Sequence, residues 1–329
     1  MSDVTLSVRG LEAGFSMGGS TVMVVRDVDL DIRKGEMVGI IGESGSGKTV
    51  TGMSILRLLP ENAVTHAERI DFLGTDLLGL SAEAFRELRG RRIAMVFQDP
   101  VGAFNPAKKV EWHLKEIFER SAAKSPAHAD RAKNWQDAAI RLLKDVGIPH
   151  GADVMHLFPH QLSGGMLQRT LIAMVLAFEP DLIVADEPTT NLDNIVERQI
   201  LRLFRDLQNR LDCAFLFITH DMSIAHMLCD RIAVMYAGRI VETGPTKQVF
   251  ADPKHPYTQG LLASALALDT KTERLKEIPG ELPSPTDLPP GCLFEPRCGF
   301  AKPECRVKLP GMSDLGGGRG VRCVLYNHA

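Results

Sequence analysis

Residues 42–49 read Gly42-Glu43-Ser44-Gly45-Ser46-Gly47-Lys48-Thr49, which fits the pattern G-x-x-x-x-G-K-[ST]. The apolar run Met37 to Ile41 precedes this stretch and predicts a buried strand. The residues after it predict a helix that runs to about Leu59 and stops at Pro60. A strand, a glycine-rich turn and a helix in that order form a cradle for phosphate. The glycines let backbone N–H groups turn inward, and the helix N-terminus adds partial positive charge. Lys48 is then placed to reach β- and γ-phosphates, and the Thr49 hydroxyl to bind Mg²⁺.

Working outward, three more short apolar runs predict buried strands: Ile93 to Phe97, Leu182 to Ala185 and Ala214 to Thr219. Continuous apolar strands of this kind belong to a parallel sheet covered on both faces. Before the glycine loop, Val28, Leu30 and Ile32 alternate with Asp27, Asp29 and Asp31. That period of two predicts antiparallel strands with one wet face. Between Val110 and Val146, Trp112, Ile117, Phe118, Trp135, Leu142 and Leu143 recur at helical spacing, and Gly147 and Pro149 end the run. Ile232 to Tyr236 and Arg239 to Thr243 flank Ala237-Gly238 as a hairpin. A short helix, Thr258 to Leu268, and a connector with five prolines, Pro279 to Gly291, follow.

The chain of 329 residues carries a formal net charge of −3, which gives no electrostatic case for a nucleic-acid partner. The most apolar run, Thr170 to Phe178, is too short to span a bilayer, and the N-terminus does not read as a signal peptide. The expectation is a soluble, cytosolic chain attached to a membrane only through partners.

Asp186 and Glu187 stand at the end of the strand Leu182 to Ala185, on the edge of a parallel sheet where ligands bind. Asp186 suits a Mg²⁺ shell, and Glu187 a water-polarising base. Ser163-Gly164-Gly165, within Leu162-Ser-Gly-Gly-Met-Leu-Gln-Arg169, opens a helix and makes a second anion-binding turn. One chain has no second triphosphate to offer it, so the turn makes sense if two subunits pack head to tail.

This turn resembles the signature motif of ABC ATPases, and the other motifs of that family occur in the same order. Gln98 resembles the glutamine that touches Mg²⁺ and the attacking water. Asp99-Pro100 and Asn105-Pro106 resemble the region that meets transmembrane subunits. Asn191-Leu192-Asp193 resembles the D-loop, departing at Asn191. His220 resembles the histidine that senses γ-phosphate, and Phe15 the aromatic that stacks on adenine. The resemblance implies an α/β P-loop core with antiparallel β and helical subdomains, and ATP hydrolysis by Glu187, His220 and Gln98. It also implies an ABC ATPase domain over residues 1–265, its helical subdomain at about 100–165, and an extension over 266–329.

His255-Pro256-Tyr257-Thr258-Gln259, the proline-rich connector, Gly291-Cys292 and Pro296-Arg297-Cys298 resemble the C-terminal extension of dipeptide and oligopeptide permease ATPases. That family implies import of peptides at the cytoplasmic face of the inner membrane. The implied partners are two transmembrane permease subunits, a second ATPase subunit and an extracytoplasmic binding protein. Nickel, opine or oligosaccharide import are the alternatives. A non-transport ABC ATPase is a further alternative; such proteins carry long coiled-coil insertions or two fused ATPase domains, whereas this sequence shows one phosphate loop and no sustained heptads.

Cys292, Cys298, Cys305 and Cys323 are spaced C-x5-C-x6-C-x17-C. Four thiolates complete a tetrahedral zinc site or hold a 4Fe–4S cluster, and the spacing alone leaves both open. The permease resemblance implies 4Fe–4S, with a structural role expected ahead of redox sensing. Cys213 and Cys229 read as buried small hydrophobes. Every ATP-site motif precedes the proline connector, so damage to the tail is expected to spare the ATP site.

Overall fold

The computed structural model describes residues 3–122, 126–190, 192–269 and 278–326. The chain divides into two compact units, Met1–Gly79 with Leu216–Ala329, and Leu80–Phe215.

In the first unit, strands Val4–Met17 and Ser20–Arg33 form a long antiparallel hairpin. Ala63–His66 and Arg69–Phe72 also pair with Val4–Met17. Val28, Leu30 and Ile32 face the core, and the aspartates between them do not. The alternation in the sequence therefore marks the wet and dry faces correctly. A second set of strands begins with Met37–Ile41, buried throughout. It runs parallel to Arg231–Tyr236, which pairs antiparallel with Arg239–Pro245. The hairpin turn places Ala237 and Gly238 at φ 46° and 85°, the left-handed pair that a two-residue turn requires.

One feature departs from the sequence reading and a second lies outside it. The helix after the glycine loop spans Lys48–Ile55 and ends well before Pro60. Arg57 adopts φ 48°, and the N–H of Leu58 reaches back to the Met53 carbonyl. This left-handed closure uses the last carbonyls before proline can act. The tail, for which the sequence reading assigned no elements, forms a hairpin of Ser313–Gly316 and Arg319–Val321. It adds to the sheet edge at Glu242 and Thr243.

The second unit carries strands Ile93–Val96 and Leu182–Asp186, paired in parallel. Its helices include Val110–Ser121, Pro126–Lys133, Trp135–Asp145, Gly164–Leu176 and Asn194–Arg210. Gly147 ends the helical run at φ +83°. Ala214–Thr219 begins in this unit and ends in the first. Among the described residues, no helix is long and apolar enough to cross a membrane.

Candidate functional site

In the first unit the loop Gly42–Thr49 joins the buried strand Met37–Ile41 to helix Lys48–Ile55. Gly47 caps the helix at φ 104°, and no side chain caps the first turn. A Cβ at Gly42 would meet the Met235 carbonyl oxygen at 2.2 Å, so only glycine fits against that strand. Lys48 is buried, with its Nζ on the carbonyls of Gly42 at 2.8 Å and Glu43 at 3.0 Å. Thr49 is exposed at the helix start. A glycine-lined turn, an uncapped helix N-terminus and a lysine folded back on the loop together form an anion cradle. Phe15 is half-buried on the strand Val4–Met17, opposite Val22 and Ala63. His220 is exposed directly after the strand Ala214–Thr219.

In the second unit Asp186 ends its strand, 5% exposed. Glu187 follows at φ 42°, a conformation uncommon for a residue with a side chain. Its Oε2 accepts hydrogen bonds from Gln98 Nε2 at 3.3 Å and Thr190 Oγ1 at 3.0 Å. The two residues singled out for water activation are thus brought together, 89 positions apart in sequence. Thr190, absent from the sequence reading, orients the same oxygen.

Ser163 caps helix Gly164–Leu176, its Oγ accepting from the Met166 N–H at 3.3 Å. A Cβ on Gly165 would stand 2.4 Å from Val196 Cγ1, so this glycine lets helix Asn194–Arg210 approach the signature turn. Asp193 caps that second helix through Oδ1, accepting from Ile195 and Val196 N–H at 3.0 Å each. The Ser163 and Asp193 turns are thus neighbours through the Gly165–Val196 contact. Asn191, the first residue of the D-loop resemblance, lies outside the described residues. Asp99 and Asn105 fold their side chains onto the N–H groups of Val101 and Ala107, and Phe97, Val101 and Trp112 are exposed nearby in sequence.

The four tail cysteines line one small pocket, together with His255, Phe294 and Phe300. None is in a disulfide. Backbone N–H groups of Phe294, Phe300 and Leu325 donate to the sulfurs of Cys292, Cys298 and Cys323, each two residues back. The Lys302 N–H donates to Cys305 Sγ at 3.3 Å. Burial, reinforced by the neighbouring thiols, pushes the Cys292 thiol up to about 11. Burial likewise raises Cys298 and Cys323. Among the described residues, no three His, Cys, Asp or Glu side chains already stand at ligating geometry. Four sulfurs with N–H donors around one pocket nonetheless suit a soft metal centre, because such donors stabilise thiolate charge. Cys213 and Cys229 are buried, as read from the sequence.

The tail, though it follows every ATP-site motif in sequence, touches the phosphate loop. Arg297, next to Cys298, donates to both oxygens of Glu43 in the phosphate loop, at 2.8 and 3.0 Å. Tyr257 Oη accepts the Glu43 N–H at 2.9 Å. Sequence order hid this because Glu43 and Arg297 are 254 positions apart.

The ABC transporter family matches residues 25–190, and the oligopeptide/dipeptide transporter C-terminal region matches residues 241–305. A putative peptide import ATP-binding protein of Brucella abortus is 41% identical over 318 residues, covering 97% of this chain and 94% of its own. The probable D,D-dipeptide transport ATP-binding protein of Escherichia coli K12 is 41% identical over 327 residues, with 99% and 97% covered. Among solved structures, cbiO1 of Clostridium perfringens, part of an ABC transporter complex, superposes with TM-score 0.59 at 26% identity. It covers 76% of this chain and 92% of its own. The ATP-binding cassette MJ0796, dimeric and bound to ADP and phosphate, shares the fold with TM-score 0.62 at 23% identity over 73% and 98%. The chain therefore belongs to the ABC transporter ATP-binding family, in the branch with an oligopeptide/dipeptide transporter C-terminal region, and its activity is ATP hydrolysis coupled to transport.

Proposed function

We propose that this chain energises an importer of di- or oligopeptides from the cytoplasmic face of the inner membrane. The observation that carries this reading is the match of residues 241–305 to the oligopeptide/dipeptide transporter C-terminal region. The similarity to relatives named for peptide and D,D-dipeptide import supports it. Residues 1–265 form the ATPase domain, with the helical subdomain at about 100–165, and 266–329 form the extension.

Within that assembly Gly42 to Thr49 hold the triphosphate, Phe15 stacks on adenine, and Thr49, Asp186 and Gln98 surround Mg²⁺. Glu187 polarises the attacking water while Gln98 and Thr190 fix its carboxylate, and His220 senses the γ-phosphate. Ser163 to Gly165 and Asp193 serve the nucleotide of a second ATPase subunit packed head to tail. The exposed Phe97, Val101 and Trp112, near Asp99-Pro100 and Asn105-Pro106, suit contact with two transmembrane permease subunits fed by an extracytoplasmic binding protein. Cys292, Cys298, Cys305 and Cys323 hold a 4Fe–4S cluster that staples a segment with little core of its own. The N–H groups aimed at their sulfurs support that donor set, which zinc also suits.

The test is ATP-dependent uptake by vesicles holding this chain, its permease subunits and its binding protein, challenged in turn with labelled peptide, nickel, opine and oligosaccharide. Peptide uptake that requires ATP is the expected result. Uptake of one of the others alone moves the chain to that substrate class. Failure of the chain to assemble with any membrane subunit refutes the transport role.

A further inference from the structure

We propose that Arg297 is a positioning residue of the ATP site, and that by neutralising Glu43 it makes ATP affinity depend on the C-terminal module. Glu43 is the only acidic residue in the loop 42–49. Its carboxylate shares that turn with the groups that would receive a triphosphate, and like charges this close repel.

Arg297 answers that charge with a two-pronged ion pair, at 2.8 and 3.0 Å. The pair is sheltered: the side chains are 6% and 28% exposed. The remaining donors are also committed. Nε donates to the Pro279 carbonyl at 2.8 Å, and Nη2 approaches the Ile278 carbonyl at 3.4 Å. The guanidinium lies over Tyr236 at 5.8 Å and Phe294 at 6.0 Å. A planar fork held by a carboxylate, two carbonyls and two rings has one orientation, which a lysine would not reproduce.

The same corner of the loop is held twice more. Tyr257 Oη accepts the Glu43 N–H, and Leu282 of the proline connector lies against Gly45. Arg297 is bonded through the chain to Cys298, and Phe294 to Glu295-Pro296 in the same short turn that closes on Arg297. Whatever sets the geometry of the cysteine pocket therefore sets where the guanidinium stands, and with it the charge of the phosphate loop.

The inference rests on the placement of the triphosphate at Gly42 to Thr49. Equilibrium binding of a non-hydrolysable ATP analogue with Mg²⁺ to the full-length protein tests both. Lys48→Ala checks the placement: if it leaves binding intact, that reading fails. With the placement upheld, Arg297→Met, which keeps apolar packing, is expected to weaken binding about tenfold at low salt. High salt should narrow that gap, because it screens the exposed carboxylate. The double variant Arg297→Met with Glu43→Gln should recover most of the lost affinity, although the tail has lost its anchor in both variants. A merely structural strut would show no such rescue. Arg297→Lys retains the charge and should lose about threefold. Unchanged binding in Arg297→Met, a double variant as weak as the single, or a lysine variant as weak as the methionine variant would each overturn the proposal.

Discussion

Each unit contains one helix-opening turn rich in serine and glycine, and the two are finished differently. The turn at Gly42–Thr49 has no side-chain cap, and Tyr257 and Arg297 brace it from outside by holding Glu43. The turn at Ser163–Gly165 is capped by its own serine and set close to helix Asn194–Arg210 through a bare Gly165. In the first, the helix N-terminus is left for an anion and the surroundings fix the loop's shape. In the second, Ser163 Oγ already satisfies a backbone N–H, and Ser163 and Gly164 are exposed. Two turns of like composition thus differ in setting: one is braced within its unit and the other is left exposed on its surface.

Three substitutions sharpen that contrast. The largest effect is expected at Glu187. Glu187→Gln in the assembled transporter should lower hydrolysis by about 10²–10⁴-fold while ATP still binds. Turnover close to the parent's would remove Glu187 from the chemistry, and with it the meaning of its bonds to Gln98 and Thr190.

Next comes the presented turn. Ser163→Arg should lower hydrolysis at a partner's phosphate loop by about 10²-fold, since it removes an anion-binding element. Binding at the chain's own Gly42–Thr49 should persist. The measurement pairs this variant with a second ATPase subunit that carries the only intact phosphate loop. Undiminished activity in that pair would make Ser163 a helix cap and nothing more.

The smallest effect separates the braced turn from the presented one. Cys298→Ser in anaerobically purified protein should lose iron and acid-labile sulfide, each near four per chain in the parent by the four-thiolate reading. It should also weaken ATP binding by about threefold through Arg297, while the Ser163 turn keeps its role in trans. Stoichiometric zinc without sulfide would replace the cluster with a zinc staple. ATP binding that ignores loss of the metal would break the link between tail and loop.

How much could be read in advance depended on sequence separation. The loop Gly42–Thr49, the strand Met37–Ile41, the hairpin around Ala237-Gly238 and the helix stop at Gly147 are local patterns, and their backbone requirements are visible residue by residue. The end of helix Lys48–Ile55 was misplaced because Pro60 is a loud signal and a left-handed Arg57 is a silent one. Thr190 escaped notice because a threonine two positions after Pro188 carries no signature. Its use is defined only by where the Glu187 carboxylate ends up.

The sequence by itself determined the phosphate loop, the Asp186-Glu187 strand end, the signature turn and the presence of four tail cysteines. Each is a run or spacing whose chemistry follows from residue type and backbone geometry alone. Only the tertiary structure decided that Gln98 and Glu187 share a hydrogen bond, that Gly165 yields to Val196, that the tail hairpin extends a sheet, and that Arg297 grips Glu43. These are contacts between residues far apart in the chain. No local propensity encodes them, because they come into being only when buried strands and helices pack and bring the polar groups at their ends within hydrogen-bonding distance.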